Sequence, residues 1–300
     1  MIELFKRKSF DKTLPKIFVI ETSLICDLKC PECALGSSLI NRPKGVLSFE
    51  KFEIIANKIK PLAEKTYLII WGEPLLNKDI FKIIKKTSTF SQTNISTNAN
   101  TLTEENAIEI INSGLSDIVV SIDAVTQQTY EKYRVGGNFE KVLSNLKMLN
   151  ELNIKHGQKV RIIPQFIVFK HNQHELEEFK NICKSLELKP FIKAPYIRRN
   201  SIFANSGDSK FIRKKYKNEK QLKKAMKQCP DARNTFTILL DGSVVLCCYD
   251  HNSIMSFGNI FEQDVLEIWN SDKYKEYRWN ILNGSPPHFC MENCLQYCLE

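Results

Sequence analysis

Residues 17–33 read IFVIETSLICDLKCPEC. The first seven, Ile17 to Ser23, form a short run rich in β-branched and apolar side chains and predict a strand. Cys26, Cys30 and Cys33 follow directly, separated by three and then two residues. In a parallel α/β barrel the loops at the carboxyl ends of strands carry the chemistry. Three thiolates in so short a loop supply three corners of one metal site. A structural zinc site takes four ligands, and neither a His nor a fourth Cys lies close by in the sequence. An iron–sulfur cluster held by three Cys leaves one iron open to a substrate or cofactor.

Outward from this stretch the pattern alternates. A helix is predicted over 49–63 with Ser48 as N-cap, a strand over 66–72 and a helix over 78–87. A strand at 92–97, a helix over 103–114 closed by Gly114, and a strand over 117–123 follow. A helix over 138–152, a strand over 159–169, a helix over 174–187 and a strand over 188–194 complete the series. Short strands alternating with amphipathic helices imply a parallel sheet with right-handed crossovers. Six strands are fewer than the eight of a closed barrel, so the expected fold is α/β, a partial (β/α)6 TIM barrel over 14–197.

Residues 198–227 break the alternation with eleven Lys and Arg against two Asp and Glu. Their excess equals the net +9 of all 300 residues, so the rest of the chain balances. This basic connector is a solvated face or a means of steering an anionic ligand. Residues 228–300 are loop-rich and hold six of the ten Cys, which predicts a small cluster-binding domain. A chain this long buries a core without disulfides. No run of about 18 apolar residues occurs, and the first residues lack the apolar stretch of a signal peptide. The expectation is a cytoplasmic protein with reduced thiols and no membrane contact.

The Cys26/Cys30/Cys33 loop after strand one resembles that of the radical S-adenosylmethionine (SAM) enzymes, and the resemblance runs through nearly the whole chain. It implies a 4Fe-4S cluster on these three Cys whose open iron chelates SAM. Trp71-Gly72-Glu73-Pro74 resembles the family's Gly-Gly-Glu motif, which implies that Gly72 and Glu73 accept hydrogen bonds from the SAM ammonium group. Asn98, Ser121 and Asp123 match strand-end positions that reach the SAM ribose or carboxylate. Arg134 resembles an Arg that neutralises that carboxylate. Glu32 departs from the aromatic residue many members carry beside the adenine.

Cys229, Gly242 and Cys247 resemble the opening of the SPASM and twitch domains, with Asp241-Gly242 as a hairpin turn. The truncated twitch form implies one auxiliary 4Fe-4S cluster on Cys229, Cys247 and two of Cys290, Cys294 and Cys298. Cys290 and Cys294 are favoured, with Cys298 the alternative. A zinc ribbon is the rival reading of the same thiols. Cys183 reads as a buried small hydrophobe. Cys248 is either packing or a thiol that donates a hydrogen atom to a substrate radical, with Asp250 a candidate proton acceptor. The resemblance implies a radical SAM oxidoreductase or epimerase acting on a carbohydrate-like small molecule, an anionic one included, by dehydrogenation, dehydration or epimerisation. Its reductant would be a flavodoxin or ferredoxin. A maturase of a ribosomally made peptide is the alternative, and a zinc protein that associates with nucleic acid is the alternative of another class. Thin aromatic interleaving in the basic segment argues against nucleic acid.

Overall fold

The computed structural model describes residues 13–197, 208–212, 215–294 and 298–299. Much of the basic connector therefore lies outside the described residues.

Six parallel strands are laid down in chain order: β1 (Ile17–Ile20), β2 (Lys65–Tyr67), β3 (Gln92–Thr97), β4 (Asp117–Ser121), β5 (Arg161–Ile167) and β6 (Phe191–Lys193). Each of the first five is followed by a helical crossover. After β1 comes α1 (Phe49–Ile59), whose N-cap Ser48 accepts from the Lys51 amide. Phe52, Ile55, Ala56 and Ile59 lie buried on one face of α1, the spacing of an amphipathic helix. The later crossovers carry α2 (Ile80–Ser88), α3 (Glu104–Asn112), α4 (Gln127–Tyr133), α5 (Phe139–Lys155) and α6 (Leu176–Ser185). This is the open partial barrel expected from the alternation.

Strand register sorts the side chains. On β4, Ile118 and Val120 are fully buried against the helices, which leaves Asp117, Val119 and Ser121 facing the lumen. Tyr67, Asn94, Asp117 and Arg161 stand side by side in register as one row across four strands. They line a cavity of about 650 Å³ at the amino ends of the strands, away from the cysteine loop. One step up, Ile69 and Ser96 line both this cavity and the one that holds the three cysteines.

The carboxyl-terminal region adds strands to the barrel's own sheet. β7 (Lys215–Tyr216), α7 (Glu219–Met226) and α8 (Asp231–Asn234) lead into β8 (Thr235–Ile238), which pairs in parallel with β1, Ile17 opposite Thr235. β9 (Val244–Val245) then pairs antiparallel with β8, the expected hairpin. Gly242 in its turn has φ +86, the left-handed region glycine enters freely. The sheet thus runs β6-β5-β4-β3-β2-β1-β8-β9. Phe18 and Phe236, both fully buried, meet across the join at 5.7 Å between ring centroids. Burying one such side chain stabilises by roughly 1.5–3 kcal/mol. α9 (Val265–Trp269), α10 (Asp272–Asn283), α11 (His288–Asn293) and β10 (Cys298–Leu299) complete the described elements. No described helix is long and apolar enough to cross a membrane.

Candidate active site and auxiliary cluster cavity

The loop after β1 is shaped by its own backbone. Cys33 N–H donates to the Cys30 carbonyl at 3.1 Å, and Ser37 Oγ donates to the Cys33 carbonyl at 2.7 Å. Gly36 folds against Cys30 so closely that a Cβ there would lie 2.5 Å from the Cys30 oxygen. Sequence reading passed over Gly36, because the need for glycine arises only from this close approach. Cys26, Cys30 and Cys33 line one cavity together with Gly72, Glu73, Asn98, Ser121 and Arg134. Burial pushes the Cys26 thiol up to about 12 and raises Cys30 as well. Without metal Cys26 and Cys30 therefore keep their protons, and metal binding releases them.

Gly72 sits at φ +79, and a Cβ would meet the Ser23 carbonyl oxygen at 2.5 Å. Next to it Glu73 is buried. Its Oε1 accepts from Leu75 N–H at 3.1 Å and from Thr97 Oγ at 2.6 Å, and its Oε2 accepts from Asn98 N–H at 2.7 Å. Burial raises its pKa to about 7 against those three bonds. Glu73 thus ties the ends of strands two and three together, and most of its accepting capacity is used by the protein. Asn98 Nδ2 donates to Asp27 Oδ1 at 2.7 Å and lies 3.7 Å from Cys26 Sγ.

Arg134 is held by Asp123. Its Nε donates to Asp123 Oδ2 at 2.7 Å, its Nη2 reaches the same oxygen, and its Nη1 points at Cys30 Sγ at 3.7 Å. Burial works against the guanidinium charge, and Asp123 together with Cys30, Tyr133 and Tyr130 more than offsets it. Asp123 adopts φ 63, unusual for a residue other than glycine. Its Oδ1 accepts from Ile167 N–H at 2.6 Å. Asp123 therefore orients Arg134, which itself lines the cavity.

The second cysteine group meets at a distance from the first. Cys229, Cys247, Cys290 and Cys294 line one cavity, with Asp231, Tyr249 and Tyr277's neighbour Ile281 among the residues around them. Cys290 Sγ lies 3.8 Å from the Tyr277 hydroxyl. Burial pushes Cys229 up to about 11 and Cys290 to about 12. Asp231 is also raised by burial, to about 6. The sequence carried a signal for it, an acid two positions after Cys229, that the reading did not use. Among the described residues no three His, Cys, Asp or Glu side chains form a site for a single metal ion. The donor chemistry, three thiols beside polar strand ends and four thiols around an apolar-walled cavity, fits iron–sulfur clusters.

Residues 20–183 match the model of the radical SAM superfamily. The chain belongs to that superfamily. Residues 229–295 match the SPASM iron–sulfur cluster-binding domain. This radical SAM enzyme accordingly uses a SAM-binding 4Fe-4S cluster, an auxiliary cluster and SAM. It is 30% identical over 175 residues to a probable GTP 3′,8-cyclase of Archaeoglobus fulgidus, covering 55% of this chain and 58% of that one. Among solved structures it resembles BtrN in complex with AdoMet and 2-DOIA, with TM-score 0.58, 18% identity, and coverage of 90% and 88% of the two chains. It also resembles Streptococcus suis SuiB bound to S-adenosylmethionine, with TM-score 0.68, 18% identity, and coverage of 92% and 70%. These matches give the zinc and nucleic-acid alternative no support.

Cys248, Asp250 and Cys298 also belong to the radical SAM enzyme's second half. Cys248 is half-buried and does not line the four-cysteine cavity. Asp250 is buried, its Oδ1 accepting from Ile254 N–H and its Oδ2 from Met255 N–H, both at 2.8 Å. Each oxygen thus holds a backbone N–H of its own loop. Cys298 pairs through its backbone with Lys215, and its side chain lies outside the described residues. Cys183 is fully buried, as expected of a small hydrophobe.

Proposed function

We propose that this enzyme cleaves SAM reductively at Cys26, Cys30 and Cys33, and that the resulting 5′-deoxyadenosyl radical takes a hydrogen atom from a carbohydrate-like small molecule. The observation that carries the reading is the division of seven thiols into a three-cysteine cavity ringed by polar strand ends and a separate four-cysteine cavity. The bound clusters supply the electron for SAM cleavage and a second redox centre. The chain's own residues bind and orient. Arg134 presents a fixed positive charge at the cavity wall. Asn98 and Ser121 offer polar groups from two further strand ends. Cys229, Cys247, Cys290 and Cys294 are assigned to the auxiliary cluster.

A small-molecule substrate is supported by the likeness to BtrN with its bound 2-DOIA, which extends over most of both chains. Two other readings have specific support. SuiB has also been seen bound to its precursor peptide SuiA, with TM-score 0.67. A GTP 3′,8-cyclase is named for a nucleotide, and an anionic substrate suits the positive charge concentrated in 198–227.

The test is anaerobic incubation of reconstituted protein with SAM, a strong reductant and three substrate panels: aminocyclitols and sugars, GTP, and peptides. Formation of 5′-deoxyadenosine together with a mass change in the first panel alone is the expected result. Turnover confined to GTP or to a peptide overturns the substrate class. No 5′-deoxyadenosine from protein carrying both clusters overturns SAM cleavage. With the substrate in hand, Cys248→Ala decides the fate of the radical. Full product from that variant removes Cys248 as a hydrogen-atom donor, and loss of product with 5′-deoxyadenosine still formed favours epimerisation.

A further inference from the structure

The segment leaving the first cysteine loop is fastened to the loop that follows Cys247. Asn41 N–H donates to Asn252 Oδ1 at 2.8 Å, and Asn252 Nδ2 donates back to the Leu39 carbonyl at 2.9 Å. Beside them Arg42 Nε donates to the His251 carbonyl at 2.7 Å, and Nη2 donates to Glu21 Oε1 at 2.9 Å. The other oxygen of Glu21 accepts from Leu240 N–H at 2.9 Å, at the end of the β8 strand. The Trp71 ring, packed like Cys26 and Cys33 against the apolar cluster of Leu24, Ala34, Leu35 and Ile40, meets His251 edge-on at 6.1 Å.

The charges at the centre of this arrangement are out of solvent. The side chain of Glu21 is 0% exposed and that of Arg42 is 8% exposed. An exposed pair contributes little, but a buried one leaves an uncompensated charge when either partner goes. The pair therefore resists opening. It joins the end of β1, the segment after the SAM-cluster loop and the auxiliary hairpin at one point. Neither Glu21 nor Arg42 nor Asn252 is a ligand or lines either cysteine cavity.

We infer that Glu21, Arg42 and Asn252 are positioning residues that fasten the auxiliary-cluster loop to the SAM-cluster loop, and so set how the two clusters stand to each other. The inference rests on the reading of Cys247 as an auxiliary ligand. Electron exchange between two centres falls steeply with their separation, so a loop carrying one ligand must be held still for the second centre to serve the first.

Reconstituted wild-type, Arg42→Ala, Arg42→Lys and Asn252→Ala proteins test it through iron content, amide hydrogen exchange, and the magnetic coupling between the reduced clusters. Iron stays at the wild-type level in all four. Exchange over 247–255 accelerates about tenfold or more in Arg42→Ala, by less in Asn252→Ala and Arg42→Lys, with β3–β5 unchanged. The coupling broadens in the same order. Unchanged exchange and coupling in the variants overturns the inference, and so does acceleration spread evenly over β3–β5, the mark of an ordinary stability role. Asn252→Ala removes two bonds without burying a charge, so it reports even where Arg42→Ala fails to fold. Cys247→Ala run in parallel separates the two readings: retained iron there sinks the ligand assignment alone, and the exchange over 247–255 still reports on the fastening.

Discussion

Three thiols within eight residues line the first cavity, whereas the second gathers four from positions spread between 229 and 294. The short loop is bonded to itself, Cys33 to Cys30 and Ser37 to Cys33, before any metal arrives. At the second site the backbone bonds of Cys229 and Cys294 are local, to Met226 and Cys290, and the β8–β9 ladder joins only the segments that lead from Cys229 to Cys247, with Cys290 and Cys294 arriving from a stretch about forty residues further on. Bringing distant segments together costs loop-closure entropy. A cluster at the first site therefore completes a shape that is already present. At the second it also acts as a brace, and its binding energy becomes folding energy.

The sharpest break in that comparison comes from Cys30→Ala. SAM cleavage should fall to background and iron by about four of about eight atoms per chain, while the thermal midpoint moves little. Iron analysis and 5′-deoxyadenosine assays check this, and undiminished cleavage would remove Cys30 from the ligand set. Cys247→Ala should also lose about four iron, but here the thermal midpoint should fall clearly and SAM should still bind. Cys298→Ala should keep all its iron; iron loss there with full iron in Cys294→Ala would reverse the assignment.

Gly72→Ala tests how rigid the first site is without metal. A Cβ at φ +79, 2.5 Å from a backbone oxygen, meets an atom that cannot swing away. The positive φ alone should cost about 1–3 kcal/mol, read by denaturant unfolding of the cluster-free protein. A neutral outcome would show that the strand-two end gives way. The smallest effect concerns Glu73, raised by burial from 4.5 to about 7. Between those values the folded state holds a proton that the unfolded state has released. Its stabilising contribution is complete below about 4.5 and is lost as pH rises through about 7. Relative to Glu73→Gln, the cluster-free wild type should lose about 1 kcal/mol between pH 6 and pH 7. A flat difference across that range would place the carboxyl in a wetter setting than the three bonds to it suggest.

What could be read from the chain followed the same division. Cys26, Gly72, Glu73, Asn98 and Ser121 each end or follow a strand, and a parallel barrel sends all its strand ends to one mouth, so their convergence was legible, whereas Arg134, at the end of α4, was reached only through the family resemblance. Strand two was read too long: its ladder stops at Tyr67, because the chain then bends to bring Gly72 under Ser23. The pairing of β8 with β1 was not legible, since nothing local in Thr235–Ile238 distinguishes a hairpin strand from one that also extends a distant sheet. The loop role of Asp250 was hidden for a related reason, since its two backbone donors lie four and five residues later and only the folded loop brings them to it. The Glu21–Arg42 contact depends on a fold that buries both, which no spacing announces.

The β1–β8 pairing also bears on how the molecule comes into being. Synthesis delivers Ile17–Ile20 more than two hundred residues ahead of Thr235–Ile238. While the barrel strands are being made, β1 can dock on β2 but leaves its other edge bare, a row of unpaired amides and carbonyls open to any passing strand. A contact of such long range forms late, and intermediates with an open edge are the ones that aggregate. The nascent chain is most exposed to misassembly in the interval before β8 emerges, so slowing translation across residues 200–235 should lower the soluble yield more than slowing it after residue 245.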